Sequence, residues 1–299
     1  MNMLSESFKR VSSIQDSIKV SNQCLHVNSV AGLVQAIGYI KWMVAESKTN
    51  VPYGVVFRGQ CDNYSTMVPS LYRGISKTGS KPKRDTRLRN LCNNLTIPRE
   101  KKIEDYLCVD TQYIEPLFQH YGIETSWLDV VDNIWIALWF ACHRCITKYK
   151  PLISFSMRPC CDYENANLKR TKEKPQEKYC YISLLSVPLS GEIVHSGHYS
   201  TDKAEVIDLR YCIPSFYLRP HVQHGLVVRM KTKTGATRID FQESVEAVIR
   251  IDLSNALNWI NQDLLLSTRN LFPPPHIDTG LSLLLGIPQL RNNLCLPIE

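Results

Sequence analysis

The sequence predicts an α+β domain, with a mixed, mainly antiparallel sheet packed against helices. Segments of strand length, rich in Val, Ile, Tyr and Leu, cluster in the second half of the chain, whereas helical periodicity dominates the first half. Such clustering differs from the strand–helix alternation of a parallel sheet. The length of 299 residues, with 44% hydrophobic and 21% charged residues, allows a large core and excludes wholesale disorder.

In the first half of the chain, helices are expected at three places after a polar, serine-rich start. We expect residues 1–25 to form a flexible arm and residues 26–299 to form one domain. The stretch from Asn28 places most of its apolar residues on one helical face, namely Val30, Leu33, Ile37, Ile40, Trp42 and Met43. A second helix is predicted over 103–121, and a third over 134–146, which is apolar on nearly every side and therefore expected in the core.

Strands are predicted from short apolar runs bounded by polar or glycine residues. The first is "YGVVFRG", and the later ones are "PLISFSM", "KYCYISLLSV", "AEVIDLRYC", "HGLVVRM" and "EAVIRIDL". The segments "SNALNWINQDLL" and "TGLSLLLGI" are interpreted as closing helices. Residues 163–178 are expected to form an exposed loop between two strands.

The net charge of +7 lies in one segment, residues 76–102. This segment holds nine Lys or Arg against two acidic residues, which leaves 26 basic and 26 acidic residues elsewhere. We interpret it as an exposed, solvated basic loop. A nucleic-acid contact is the alternative, although the segment has no aromatic residue to stack on a single strand.

The cysteine count and the start of the chain predict a cytoplasmic protein. Eleven cysteines occur without an apolar secretory segment, so we expect free thiols in a reducing compartment. The longest apolar run, "IWIALWFAC", has nine residues, too few for a membrane span. We therefore expect no membrane partner.

Arg58 is the first candidate site residue, because it ends an apolar strand and precedes Gly59. An arginine in this position can grip a phosphate or carboxylate with two N–H groups, and the glycine would let a ligand approach the backbone. The alternative is a structural arginine held in an internal ion pair.

A second group of candidates lies in "QHYGIETSWLDVVDN". Gln119, His120 and Tyr121 come at a predicted helix end, and Asp129 lies on the following extended segment. Polar residues at the ends of elements beside an apolar helix are typical of a pocket floor. Helix capping would explain Asp132 and Asn133 but does not explain Gln119, His120 or Asp129.

Five motifs resemble the FRG domain, a bacterial and phage family named for its (F/Y)RG motif. They are "FRGQ", "PSLYR", "QHYG" with the following "LD" and "ALWFA", "RPHVQHG" and "LFPPP", and they span roughly residues 50–290 in the family's order. The chain departs from the family's "LPTRLLDWTxNP" pattern, with Ser126 in place of the arginine, Val130 of the tryptophan, Val131 of the threonine and Ile134 of the proline.

The layout is also similar, more distantly, to ADP-ribosyltransferases, which implies NAD as the substrate and allows a core of that type. By this resemblance Arg58 with Gly59 and Gln119 would bind the dinucleotide, and Tyr121 would stack on nicotinamide. Gln223 would lie where those enzymes place an acidic or amide residue. Because cleavage builds positive charge on the ribose, a carboxylate is needed. Asp129 is the candidate and Glu205 the second choice, with His120 beside them as a catalytic residue.

Three functions therefore stand as hypotheses. The first is ADP-ribosyl transfer to a protein or nucleic acid, or NAD hydrolysis, in a toxin or phage-conflict setting that the resemblance implies. The second is a non-catalytic module that binds a nucleotide or nucleic acid through Arg58 and the basic loop. The third is a metal-dependent hydrolase using the pairs His195/His198 and His221/His224. We predict no metal site, because both pairs lack zinc-site spacing. The sequence leaves the oligomeric state open.

Overall fold

The computed structural model describes most of the chain in ten stretches. These are residues 18–21, 24–47, 53–75, 80–97, 102–149, 151–158, 178–189, 192–231, 239–260 and 266–297. The predicted loop at 163–178 lies outside the described residues except for Lys178, and so does most of the predicted arm.

The described part of the chain contains thirteen strands. They are β1 (Ile18–Ser21), β2 (Cys24–Val27), β3 (Tyr53–Gln60), β4 (Leu128–Val131), β5 (His143–Tyr149), β6 (Leu152–Met157), β7 (Tyr179–Pro188), β8 (Glu192–His195), β9 (His198–Ser200), β10 (Ala204–Asp208), β11 (Gly225–Met230), β12 (Val245–Asp252) and β13 (Leu296–Pro297).

Eleven α-helices accompany these strands in the same described ranges. They are α1 (Val30–Ser47), α2 (Ser80–Asn93), α3 (Ile103–Leu107), α4 (Thr111–His120), α5 (Ile134–Cys142), α6 (Leu209–Cys212), α7 (Leu218–Val222), α8 (Leu253–Trp259), α9 (Thr268–Leu271), α10 (Thr279–Leu285) and α11 (Pro288–Arg291). Ser70–Tyr72 and Gln242–Ser244 form short 3₁₀ helices.

The strands form a ten-stranded sheet in the order β1-β2-β12-β7-β3-β4-β11-β10-β9-β8 and a three-stranded sheet in the order β13-β6-β5. Most neighbours are antiparallel, and the β2–β12 and β6–β13 pairs are parallel. The predicted α+β class, with a mixed and mainly antiparallel sheet, is therefore confirmed. In the described part of the chain, no helix combines the length and hydrophobicity that crossing a membrane requires.

The two edges of β3 are paired very differently. On one edge, β3 pairs with β7 at eight successive positions from Tyr53 to Gln60. On the other edge, it pairs with β4 at a single position, Phe57 with Val131. The large sheet is therefore open between β3 and β4 immediately beyond Phe57, and Arg58 is the first residue at the opening.

Helix α5 passes behind this part of the sheet and fills the main core. Its residues from Ile136 to Cys142 pack with α1, α8 and the inward residues of β3, β7 and β12, including Phe57. The predicted buried helix is thus present, but it ends at Cys142 rather than at 146. The His143 ring stacks on Trp139, and the chain continues as β5, which contains the β-branched residues Ile146 and Thr147.

The helix predicted over 103–121 is broken into α3 and α4. Cys108 adopts a left-handed conformation with φ 55°, which ends α3, and α4 begins after Asp110. The glycine that follows α4, Gly122, has φ 94°. This backbone conformation is the one expected for a glycine that closes a helix.

Two other predictions for the first hundred residues are wrong. The basic segment contains the helix α2 instead of a continuous loop, because Leu88 buries against Leu71 and Tyr72, and the Tyr72 hydroxyl donates to Asp85 at 2.7 Å. Part of the predicted arm is ordered in the sheet, since β1 pairs with β2, and β2 pairs with β12.

Candidate functional site

A cleft of about 630 Å³ lies at the opening between β3 and β4. This volume lies within the range of ligand-binding pockets. Six of the seven predicted site residues line it, namely Arg58, Gly59, Gln119, His120, Asp129 and Gln223. These side chains come from β3, α4, β4 and the turn after α7, so the fold brings together residues that are far apart in sequence.

At the opening, where β3 and β4 no longer pair, a hydrogen bond from the Arg58 side chain connects the two strands. Its Nη1 donates a hydrogen bond of 2.5 Å to the backbone oxygen of Asp129 on β4. No other hydrogen bond joins this guanidinium to the described residues, and its other N–H groups remain available. Burial and the nearby charge of Arg73 lower the pKa of Arg58 to about 10, although Asp129 acts in the opposite direction. At neutral pH Arg58 is therefore still a cation.

Asp129 is held by an amide network at the end of α4. The Gln119 side chain donates from Nε2 to Oδ2 of Asp129 at 2.5 Å. Its own amide oxygen accepts from the hydroxyls of Thr125 at 2.6 Å and Ser70 at 3.2 Å. These two bonds fix the orientation of the amide, so its N–H faces the carboxylate. Gln119 is therefore a positioning residue for Asp129.

His120 lies beside this carboxylate and is almost completely buried. Its Nδ1 is 3.6 Å from Oδ1 of Asp129, and neither ring nitrogen has a hydrogen-bond partner among the described residues. The ring packs against Gly225, where a Cβ would lie 2.7 Å from Nε2. A buried imidazole that faces a carboxylate without a close hydrogen bond is unusual, because the buried ring nitrogens lose their hydrogen bonds to water.

The far end of the cleft is formed by α7, α9 and the C-terminal segment. Gln223 is buried and donates to the Leu271 carbonyl at 2.6 Å. Arg219 is completely buried between the rings of Tyr121 and Phe272, and its Nη2 donates to the Cys295 carbonyl at 3.1 Å. Burial lowers the pKa of Arg219. Gln223 thus supports the cleft wall and offers no charge.

Tyr121 does not line the cleft, so it cannot stack on a ligand there as predicted. Its ring is fully buried behind the wall, where its hydroxyl donates to Asp278 at 2.7 Å and Arg219 covers one face. Besides Phe57, whose ring belongs to the main core, the cleft is lined by the aromatic rings of Phe140, Phe155, Phe272 and Tyr64. Tyr64 is 53% exposed and is thus the most accessible of the four for stacking.

Gly59 has a packing role in addition to its place at the cleft. A Cβ at this position would overlap the backbone carbonyl of Ala137 in α5. The glycine therefore lets the core helix approach β3. Gly59 also lines the cleft, and its part in ligand approach stays a prediction. The same packing holds β3 firmly behind Arg58.

Glu205 and the four histidines of the two pairs are not among the residues that line this cleft. Glu205 is engaged on β10 with Arg229 at 2.6 Å and His198 at 3.0 Å. His195 and His198 face each other across the β8–β9 pair, whereas His224 contacts Asp132 at 3.2 Å. In the stretches that the structure describes, no three His, Cys, Asp or Glu residues are grouped so that they could hold a metal ion.

Sequence reasoning did not assign a role to two arginines of the cleft, Arg73 and Arg219. Both stand inside motifs quoted for the family resemblance, "PSLYR" and "RPHVQHG". The two motifs could therefore have identified both arginines as candidate site residues. The placement of Arg219 depends on contacts with Tyr121, Phe272 and Cys295, which the local pattern does not contain.

Residues 53–150 match the family model described as the FRG domain. The matched segment begins at β3 and contains Arg58, Gln119, His120 and Asp129, so it supplies one side of the cleft. The predicted resemblance to the FRG domain is confirmed over this segment. Neither the search of curated proteins nor the search of solved structures found a match.

Proposed function

We propose that the cleft binds a nicotinamide dinucleotide and breaks the bond between nicotinamide and ribose. The products would be nicotinamide and an ADP-ribosylated acceptor, or free ADP-ribose when water is the acceptor. One observation carries the proposal: a guanidinium with free N–H groups and an oriented carboxylate, those of Arg58 and Asp129, line the same cleft.

Two arginines that line the cleft, Arg58 and Arg73, suit a diphosphate. Arg58 keeps N–H groups without partners among the described residues, and Arg73 is near enough for its charge to lower the pKa of Arg58. A bound diphosphate would relieve this repulsion, because its negative charge attracts both guanidinium groups. Guanidinium groups also match phosphate geometry with paired hydrogen bonds.

Asp129 would supply the electrostatic contribution to bond cleavage. As the bond between C1′ and nicotinamide breaks, its electron pair passes to the nicotinamide ring and positive charge builds on the ribose. A carboxylate already oriented by Gln119 needs no reorganisation to stabilise that charge. An oxygen or nitrogen of the acceptor then bonds to C1′ and gives up its proton to Asp129, with His120 next to the carboxylate.

Nicotinamide would be held by the aromatic part of the cleft. Phe155 and Phe272 are stacked with centroids 4.6 Å apart, and Phe140 lies edge-on to Phe272. Tyr64 offers an exposed ring at the cleft. A flat heteroaromatic ring gains both apolar contact and favourable ring geometry in such surroundings. The predicted stacking role thus passes from Tyr121 to these rings.

The test is nicotinamide release from NAD by the purified protein, followed by mass spectrometry. We expect release by the unaltered protein, and its loss in Arg58→Gln and Asp129→Asn with folding retained. Arg269→Gln and Asp202→Asn are the matched controls, because both residues are exposed and lie outside the cleft. Absence of release by the unaltered protein, with candidate protein and nucleic-acid acceptors supplied, would overturn the proposal.

A non-catalytic binding module is the second candidate, and one observation favours it. A second groove, lined by Arg73, Arg84 and Arg87, adjoins the cleft through the shared Arg73. Saturable, Arg58-dependent binding of ADP-ribose without any nicotinamide release from NAD would support this alternative.

A further inference from the structure

The second groove has about the same volume as the cleft, about 630 Å³, and a basic lining. It runs between α2, the 3₁₀ helix Ser70–Tyr72 and the turn after α4. Three arginines line it, Arg73, Arg84 and Arg87, against the single carboxylate of Glu124. The remaining polar lining is neutral and consists of Ser70, Asn90 and Asn293. The groove therefore carries a net positive charge.

One face of helix α2 lines this groove. Arg84, Arg87, Leu88 and Leu91 all line the groove, at the spacing of three and four residues that places side chains on one helical face. Leu88 is buried and anchors the helix. Arg89 does not line the groove and is exposed on another face. Arg89 is therefore an ordinary surface arginine on the same helix, with which the groove arginines can be compared.

Arg84 is fixed in place by the backbone beside the 3₁₀ helix. Its Nη1 donates to the carbonyl of Leu71 at 2.6 Å and to that of Arg73 at 2.8 Å. These bonds use one of its three nitrogens, and no other hydrogen bond joins the guanidinium to the described residues. Arg87, the next arginine along the face, is exposed. The groove therefore combines an oriented cation with an accessible one.

From this arrangement we infer that the groove binds the sugar–phosphate backbone of a nucleic acid. Regularly spaced phosphates suit arginines arranged along a groove, and the neutral amides and hydroxyl suit sugar and phosphate oxygens. Among the described residues, no aromatic ring lines the groove, so we expect contact with the backbone of a duplex rather than with stacked bases. Binding should consequently be independent of sequence and sensitive to salt.

Arg73 gives the groove a connection to the proposed reaction. It lines both the groove and the cleft, and it lies close enough to Arg58 to lower that residue's pKa. A nucleic acid in the groove would therefore bring one of its nucleotides near the ribose that Asp129 faces. This step, in which the nucleic acid is the acceptor, rests on the proposed function, whereas binding in the groove does not.

The binding test uses a fluorescein-labelled DNA duplex of about 20 base pairs, with anisotropy measured between about 50 and about 200 mM salt. We expect Arg87→Gln to weaken binding about threefold or more at low salt. It should also reduce the slope of log K against log salt by about 0.9, the value for one lost phosphate contact. Arg89→Gln, on the same helix, should change neither quantity.

Three results would overturn binding in the groove. They are no binding at the lowest salt, equal weakening by Arg87→Gln and Arg89→Gln, and competition by poly-glutamate as effective as that by unlabelled duplex. The second result would mean diffuse surface charge, and the third would mean that an acidic protein is the better partner. Arg87 is chosen because it is exposed, whereas Arg84 also holds two backbone carbonyls.

The acceptor step is tested separately by incubating the duplex with NAD and the protein, and then measuring the mass of the DNA. We expect the DNA to gain ADP-ribose and the gain to fall in Arg87→Gln, while NAD hydrolysis without DNA stays unchanged. Nicotinamide release without modified DNA would overturn the acceptor step alone. No nicotinamide release would overturn the proposed function and the acceptor step with it, but would leave the anisotropy result standing.

Discussion

The two edges of β3 show how one strand can serve both as scaffold and as site. Towards β7 the strand is paired at eight positions, and every backbone group there can be satisfied by regular sheet hydrogen bonds. Towards β4 it is paired at one position, and an arginine side chain satisfies the Asp129 carbonyl instead. The closed edge keeps the strand rigid, and the open edge exposes charged groups to a cleft.

The open edge explains why Arg58 stands at the end of the apolar run of β3. Phe57 is the last residue of β3 that pairs with β4, and its ring belongs to the main core. One residue later the side chain alternates to the opposite face and the strands have separated. Arg58 is thereby partly buried, held at one nitrogen and available at the others.

The largest expected effect concerns the open edge. Asp129→Asn should lower nicotinamide release by about 100- to 1000-fold, because the neutral amide cannot stabilise the positive ribose. The urea midpoint should change little. If the activity loss merely equals the fraction of unfolded protein, Asp129 only holds the opening together and the contrast between the edges has no catalytic meaning.

The next largest effect concerns the packing behind the strand. Gly59→Ala should destabilise the fold by about 1 to 3 kcal/mol, because the added methyl group overlaps the α5 backbone. The matched change, Gly38→Ala, lies in α1 with nothing within 4 Å of the new Cβ. It should stabilise the protein by about 0.5 to 1 kcal/mol. Urea unfolding measures both, and equal effects would contradict the close approach of α5.

Arg58→Gln should leave the fold intact but weaken ADP-ribose binding by about 10- to 100-fold. This range corresponds to the loss of a hydrogen bond to a charged group. Calorimetric titration gives the affinity, and a melting curve reports the fold. A large loss of stability with unchanged affinity per folded molecule would show that Arg58 is a structural arginine that only bridges β3 and β4.

The affinity for ADP-ribose should also fall as the pH rises through about 10. The pKa of Arg58 is lowered to about 10 by burial and by Arg73, so above that pH the guanidinium loses its charge and its attraction for phosphate. Below it the cation is fully present and the affinity should be flat. Arg58→Gln should remove this decline, and a decline of the same size in the variant would assign the titration to other groups.

The smallest effect is protection of thiols by a bound nucleotide. Cys61 and Cys145 line the cleft, and burial raises the pKa of both, whereas Cys108 is exposed elsewhere. ADP-ribose should slow alkylation of Cys61 and Cys145 severalfold and leave Cys108 unchanged, as read by mass spectrometry. Equal protection of all three would indicate a general change in the protein rather than occupancy of the cleft.

Local patterns predicted much of the fold because they report local physics. The strand that contains Arg58, the buried helix starting near Asn133 and the glycine at 122 follow from periodicity, capping and left-handed backbone preference, although the strand continues to Gln60 rather than ending at Arg58. The basic helix α2 was missed because Leu88 and the Tyr72–Asp85 bond stabilise it through contacts outside the segment. Helix propensity alone is a weak guide in such a charged stretch.

The site was predicted as a set of residues, but not in its geometry. The polar groups without a capping role, Gln119, His120 and Asp129, do line one cleft. Tyr121 lies behind the cleft wall, and Gly59 packs against α5 as well as lining the cleft; their neighbours in sequence do not reveal that Asp278 and α5 lie beside them. Those contacts are tertiary, and a local pattern has no means of encoding them.

The most direct measurement for the central claim is a crystal structure of the protein with ADP-ribose. We expect a phosphate oxygen within hydrogen-bond distance of the Arg58 guanidinium, with the ribose facing Asp129. A complex in which the nucleotide lies outside the cleft, while Arg58 contacts only the Asp129 backbone, would contradict this claim.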